Sequence, residues 1–437
     1  MKKVHCFFLL AVAVPHFLCA QNVGIGTSSP LFRLHVEQGN VLFKGPVGLP
    51  AIPGPLPVSG AGTKLTWYPD KAAFRAGSVS GNQWDSDNTG AYSVALGFNT
   101  IATGNGAVAI GLFNRADGSS STAFGNYCTG SGASSTTFGN FCTASGSPST
   151  AFGDRCIASG SSSTAFGSFC TATGTTSTAF GSYCSASDLS STAFGLGCNA
   201  SGDYSTAFEL SSTASGKQSV AMGSSVSTSG YAGAFALGDA STTIVMPSFV
   251  ANGFRARFAG GYRLFTNSGA SIGAFLNANA NSWAALSDVR MKENFLPVDG
   301  EVFLKKIAAM PQVTWNYIGQ DAKTLRHYGP MAQDFYKAFG RDGIGEIGCD
   351  TLINQQDFLG VNFIAIQALE KRSSELEKRN TETEKRSSEL EKENAALKSK
   401  QLILEEANKG LTKKLKLLDK KMDAALQLLK QEMATKK

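Results

Sequence analysis

The sequence predicts a mainly β chain: a long stack of β-coils, then a small α+β segment, then a C-terminal coiled coil. Three observations lead there. An apolar residue, followed in all but one unit by glycine, recurs every 14 residues from Leu96 to Met222. Leucine recurs every seventh residue through most of 369–425. The middle of the chain is almost free of charge, whereas Lys, Arg and Glu crowd its C-terminal region. With 437 residues and charge this uneven, the chain is expected to exceed one compact core. The net charge of +6 is modest and its cations stand beside nearly as many acids, so no nucleic-acid partner is expected.

Residues 1–20 carry Lys2 and Lys3, an apolar run over 6–14, and Leu18-Cys19-Ala20 ahead of Gln21. This is the pattern of a Sec-type secretory signal cut after Ala20, which would place the mature protein outside a bacterial cell, secreted or at its surface. Cys19 invites a lipid-anchor reading, but His16 and Leu18 occupy the places where a lipobox has Leu and a small residue. No later apolar run approaches the roughly 18 residues of a membrane helix, so no transmembrane segment is expected after signal removal.

Residues 21–90 are expected to hold a short N-terminal strand region and a linker. Gly24 and Gly26 lack the third glycine and following helix of a phosphate loop, and residues 22–39 read as a capping strand. GPVGLPAIPGPLP (45–57) keeps glycine at every third place only briefly, which makes it a proline-rich linker and not a collagen helix.

Residues 91–240 contain the repeats, best seen in SSSTAFGSFCTATG (161–174). A 14-residue unit this rich in Gly, Ser and Thr fits two short strands with turns between them and not an amphipathic helix. Period-two alternation puts Thr164 and Phe166 on one face and Ser163, Ala165 and Gly167 on the other. So thin a coil has too little interior to enclose one Phe per turn, and the Phe column is therefore expected to be buried between copies of the chain around a symmetry axis. A homotrimer is the expectation, although periodicity alone does not separate it from a dimer. Glu209 replaces glycine in one unit, and the register slips by a residue near Phe235 to Gly238.

Ser-x-Ala-Phe-Gly-x-x-x-x-Ala-x-Gly at a 14-residue step resembles the left-handed β-roll head of trimeric autotransporter adhesins. The resemblance implies a trimeric left-handed β-roll of 14-residue repeats over 91–240, followed by a β neck over 241–286. A surface fibre of this kind implies a cell-surface glycan or protein receptor as partner.

Cys128, Cys142, Cys156, Cys170, Cys184 and Cys198 hold one place in six successive units and must form a column. In-register neighbours lie about 4.8 Å apart, within reach of a disulfide in an oxidising compartment. Three fates are open: buried thiols packing as small apolar groups, disulfides between coils or chains, and a metal array, for which a straight ladder supplies few convergent ligands. Other units carry Thr100, Asn114, Ser212 and Val226 there, so the place demands no special chemistry. No cofactor and no metal site is expected.

Residues 363–437 change period. Leu369, Leu376, Leu390, Leu397, Leu404, Leu411 and Leu418 form one seam of a coiled coil, and Ile366, Asn380, Asn394, Asn408, Leu415 and Met422 fall on the other, where buried Asn specifies register.

Between roll and coil stands WAALSDVRMKENF (283–295), then HYGPMAQDF (327–335), then DFLGVNFIAIQALEK (357–371) running into the heptads. This ordered set resembles the intramolecular chaperone auto-processing domain of phage tailspikes and fibres, an endosialidase-type peptidase domain, placed over 287–362. The resemblance implies a trimerisation chaperone that cuts itself off once, a single-turnover serine auto-endopeptidase without further turnover. On that resemblance Ser287 is the nucleophile, Lys292 the general base and Leu286–Ser287 the bond that breaks. Asp288 would orient the turn or cap a helix, and His327 and Gln333 would support the oxyanion or pack the fold. A lysine base must be neutral, which asks for desolvation or nearby cations such as Arg290. Two other readings compete: a purely structural fibre whose chaperone domain stays attached, and a glycan-degrading tailspike. The latter would need two carboxylates facing each other across a groove, and Asp117, Asp154, Asp188, Asp203 and Glu209 occupy differing repeat positions.

Overall fold

A computed structural model describes residues 22–56 and 58–435. The expected signal segment, 1–20, lies outside the described residues. The chain divides into two units between Leu286 and Ser287.

The first unit is dominated by a β-solenoid. Each coil gives a strand of four to six residues to one sheet of 14 strands, parallel except for its leading hairpin, and a two-residue strand to a second sheet of 11. Register is strict: Thr164 pairs with Thr178, Ala165 with Ala179 and Phe166 with Phe180, and the same columns run through every neighbouring coil. The small face turns inward. Ala165, Ala179, Cys170 and Cys184 are fully or almost fully buried, and the six thiols are free, each donating to a backbone carbonyl, as Cys156 Sγ does to Gly167 O at 3.3 Å. The column packs as small apolar groups, the first of the three fates. Hydrogen bonding with Cys142 and then burial hold the Cys128 thiol above its ordinary range, and Cys184 and burial do the same for Cys198.

At the glycine that follows each Phe from Phe124 to Phe194, neighbouring backbones approach so closely that a side chain would clash. Gly167 has φ +122°, and a Cβ there would lie 1.9 Å from the Gly181 carbonyl oxygen. The slip at the C-terminal end is real, since Val220 pairs with Phe235, one residue beyond the 14-residue step. The long sheet continues past it to Phe254–Arg257. At the other end it begins with an antiparallel hairpin, Gly62–Tyr68 and Ala73–Val79, which pairs onto Val94–Phe98. Thus the hairpin leads the sheet, whereas residues 22–39, expected to cap it, form a separate two-stranded parallel sheet, Val23–Ile25 with Leu34–Val36. The first coil is closed by Arg75, only 2% exposed, whose guanidinium donates to Ser93 O, Ser93 Oγ, Ala102 O and its neighbour Phe74 O. Trp84 belongs to the buried core and donates from Nε1 to Thr100 O at 2.8 Å.

Three side-chain columns line the outside. The Phe column, Phe124 to Phe208, stacks ring on ring at 4.8–4.9 Å and remains 37–42% exposed. Two residues further along each coil runs a column that reads Asn126, Asn140, Asp154, Ser168, Ser182; Asn126 Nδ2 donates to Asn140 Oδ1 and Asn140 Nδ2 to Asp154 Oδ1. Three residues after the Phe position comes a second planar column: Phe113, Tyr127, Phe141, Arg155, Phe169, Tyr183. Its rings stack at 4.6–5.0 Å, and Arg155 lies over Phe141 at 5.4 Å and over Phe169 at 5.1 Å. All six adopt left-handed backbone, φ 51–56°, which costs a bulky residue about 1–2 kcal/mol. A further three-stranded antiparallel sheet over Gly261–Phe265, Gly273–Asn277 and Ala284–Ala285 ends this unit.

The second unit holds α1 (Gly300–Ala309), the strand pair Val313–Trp315 and His327–Gly329, α2 (Ala332–Phe339) and α3 (Gln355–Ala434). Asp299 and Asn354 cap α1 and α3 with side-chain oxygens. Phe303, Phe335, Phe339 and Phe358 gather three helices into a small aromatic core, and Gly300 of α1 approaches Ala368 of α3 where a larger residue would not fit. Helix α3 has 80 residues, about 120 Å at 1.5 Å per residue. Its heptad leucines, from Leu369 to Leu418, are 51–66% exposed on a single chain.

Candidate functional site

The local sequence builds the site. Asp288 begins a single 3-10 turn over Val289–Met291, its carboxylate accepting from Arg290 N at 2.9 Å, while Lys292 N donates to Val289 O. That turn folds residue 292 back over residue 287. The Lys292 Nζ donates to Ser287 Oγ at 2.7 Å, so two groups five residues apart meet at hydrogen-bond distance.

Arg290 has a different partner from the one the base would need. Its guanidinium forks onto Asp288, with Nε at 3.0 and 3.1 Å and Nη2 at 2.5 Å. The Arg290 side chain and then its backbone N–H hold the Asp288 carboxyl below the usual carboxylate range, and Asp288 in turn raises Arg290. The expectation that Arg290 acts on Lys292 as a neighbouring cation is therefore replaced: its charge is matched by Asp288, and the pair stiffens the turn. Ser287 and Lys292 are both exposed on the single chain, as is Leu286 at 41%.

His327 and Gln333 stand apart from this pair. His327 lies opposite Trp315 in the strand pair, with ring centroids 4.6 Å apart and Tyr317 edge-on at 5.7 Å. Its Nε2 and the Trp315 Nε1 are buried without partners. Gln333 is exposed in the first turn of α2. Among the described residues neither hydrogen-bonds to Ser287 or Lys292. A cavity of about 540 Å³ lies beside the strand pair Val313–Trp315 and His327–Gly329, lined by Trp315, Tyr317, Pro330, Met331 and Leu352 among others. No helix of the described residues is long and apolar enough to cross a membrane, and none of their His, Cys, Asp and Glu side chains cluster as metal ligands.

Sequence reasoning missed the second planar column on the solenoid. Its 14-residue period was open to inspection at Phe113, Tyr127, Phe141, Phe169 and Tyr183, but the left-handed backbone that makes those residues unusual is a property of the coil corner.

Residues 287–344 match the family described as chaperone of endosialidase, beginning at the residue where the second unit begins. The YadA head domain repeat matches the solenoid seven times, over 89–114, 102–127, 144–169, 158–183, 172–197, 186–208 and 210–225. No curated protein matches the chain. The chain thus joins a β-solenoid similar to YadA head repeats, as found in surface fibres and adhesins, to a segment similar to the chaperone of endosialidase.

Proposed function

We propose that this is an exported homotrimeric surface fibre whose C-terminal unit guides assembly of the trimer and is then released by one self-cleavage at Leu286–Ser287. The observation that carries the reading is the 2.7 Å contact of Lys292 Nζ with Ser287 Oγ at the boundary between the two units. The neutral amine takes the Ser287 hydroxyl proton, and Oγ adds to the adjoining Leu286 carbonyl carbon. The tetrahedral adduct collapses by breaking the C–N bond, and the proton goes to the departing nitrogen. The resulting ester is hydrolysed by water, leaving a Leu286 carboxylate, a free Ser287 amine and the regenerated hydroxyl. Attack on the adjacent carbonyl is intramolecular, so its entropy is met by folding.

Trimer formation supplies what the single chain lacks. The neutral form of a lysine is favoured by removal from water, and Lys292 is exposed on one chain, so its cover comes from neighbouring copies. The same copies would cover the Phe column and the leucines of α3, at about 1 kcal/mol or more for each large side chain whose exposed half is buried. Chemistry is thereby tied to assembly. His327 is assigned to packing, through its aromatic contacts, and Gln333, exposed in α2, is given no part in the chemistry.

Intact-mass measurement of refolded chain tests this. A fragment beginning Ser-Asp-Val-Arg is expected, absent in Ser287→Ala. An uncut wild-type chain in a fully assembled trimer would leave the structural-fibre reading standing instead.

A further inference from the structure

We infer that five consecutive coils of the solenoid, from Asn126–Tyr127 to Ser182–Tyr183, form a binding strip for an uncharged carbohydrate chain lying along the solenoid axis.

At the C-terminal end of these coils two outer columns change together, whereas at the N-terminal end only the first changes, Leu112 standing next to Phe113. In these five coils the first position is Asn, Asp or Ser and the second is Phe, Tyr or Arg. In the flanking coils on the C-terminal side the same two positions are Leu196 with Gly197 and Leu210 with Ser211. The columns are neighbours on one surface. Phe98, of the first, meets Phe113, of the second, edge-on at 5.2 Å, and Asp154 pairs with Arg155 at 3.0 Å.

The occupants of the second column say what it contacts. Apart from small Asn99, Gly197, Ser211 and Ser225, every one presents a flat π system, including Arg155, and none is aliphatic. The neighbouring Phe column, by contrast, accepts Leu96, Ile110 and Met222. A surface that only needs to be apolar tolerates such exchange; one selected for planar faces does not. Left-handed backbone makes the choice more pointed, because the coil corner favours Gly, Asn or Ser, and strained residues held at one place across successive coils point to function.

Chemistry then selects the ligand. Centroid spacings of 4.6–5.0 Å exceed the contact thickness of two rings, about 3.5–4 Å, so the rings are offset and each leaves part of a face open. Tyr183, beside Gly197, is 61% exposed. Partly exposed amides and hydroxyls of the first column keep donors and acceptors free beside those faces. Open ring faces for C–H groups, flanked by hydrogen-bonding groups for hydroxyls, suit a sugar chain. Asp154 and Arg155 neutralise each other, so the strip is complementary to a neutral chain and offers a charged one no gain. Its length is about 19 Å, four steps of about 4.8 Å. This inference stands whether or not the chain cuts itself.

The test is affinity electrophoresis of the full chain, and of Ser287→Ala so that cleavage is a separate variable. Gels are cast with hydroxyethylcellulose, glucomannan, xylan or dextran, and with anionic polygalacturonate. Retardation by at least one neutral polysaccharide, insensitive to salt, is expected. Tyr127→Ser/Phe141→Ser/Phe169→Ser/Tyr183→Ser should bind roughly tenfold more weakly; Ser211 and Ser225 show that the corner accepts serine. Asn126→Leu/Asn140→Leu, which retains the ring stack, should weaken binding too. The inference is overturned if no neutral gel retards the protein, if only polygalacturonate does, or if the ring variant binds like wild type. It is equally overturned if the ring variant changes the oligomeric state in native mass spectrometry, which would assign the rings to contact between copies.

Discussion

Glu209 takes, at φ +90°, the place in the sheet that its register partner Gly195 takes at φ +123° one coil earlier. A carboxylate side chain thus stands where nine other coils between Gly97 and Gly223 have glycine. Glu209→Gly should relieve that strain and stabilise the protein by about 1 kcal/mol after the entropy of the added glycine is discounted. The converse, Gly167→Ala, should cost about 3 kcal/mol or more, because no rotation clears a Cβ from the Gly181 carbonyl. Amide hydrogen exchange of the coils on either side checks both, since a repeat array loses protection locally.

Arg75 is expected to act on one end of the solenoid alone. Burial pulls its proton affinity down to about 10, so it remains charged at neutral pH while its donors close the first coil. Arg75→Ala removes the guanidinium's buried hydrogen bonds and leaves a cavity in the first coil, although the Ser93 and Ala102 carbonyls still accept from the amides of Phe74 and Gly90, and should cost about 2–4 kcal/mol. Faster exchange should be confined to the coils around Val94–Phe98 and Val108–Leu112, with those beyond Thr178 unchanged.

At the candidate site, Lys292→Arg should not cleave, because a guanidinium stays protonated and cannot accept the serine proton. Asp288→Asn removes the fork from Arg290 and should slow cleavage without preventing trimer formation. Since Arg290 lowers the Asp288 carboxyl, the clamp is present above the ordinary carboxylate pKa, persists through that range and opens only as pH falls through the lowered value. Wild-type cleavage followed against pH should accordingly show no loss from this clamp until the solution is more acidic than an ordinary aspartate would require. A step at the ordinary value would place the control elsewhere.

Thiol labelling separates the core from its surroundings. Cys349 is exposed, and its contact with Thr351 holds it below the ordinary thiol range, whereas Cys128 to Cys198 are buried. In a chain beginning at Gln21, a small maleimide should therefore add once to native protein and seven times after denaturation. Rapid addition at more than one native site would contradict burial of the column.

Much of this was legible in the sequence because the causes are local. A strict period and alternating side-chain size are enough to align Phe166 with Phe180 and to put Ala165 inside. The Ser287–Lys292 contact spans five residues and one turn, and its motif lies in consecutive letters. What escaped depends on groups meeting across distance or on backbone sign. Arg75 has an unremarkable sequence context, and only the pairing of Ala73–Val79 onto Val94–Phe98 brings it to Ala102 O. Arg290 was read as an agent on Lys292, because sequence order cannot tell that its fork fits Asp288. The planar column shares the period of the Phe column, yet its meaning rests on φ, which composition does not reveal.

The strict 14-residue register from Leu96 to Met222 makes length a separable property of the solenoid. Each coil touches only the ones before and after it, so removing residues 154–167 would delete one rung, shorten the solenoid by about 4.8 Å and leave every later column in phase. A change that is not a whole unit has to be taken up in a turn, as the extra residue between Val220 and Phe235 is, where Ala236 still pairs with Ala221 and stays buried. Growth and shrinkage by whole units are therefore mechanically neutral, and a chain of this kind can lengthen or shorten its reach while keeping the same two ends.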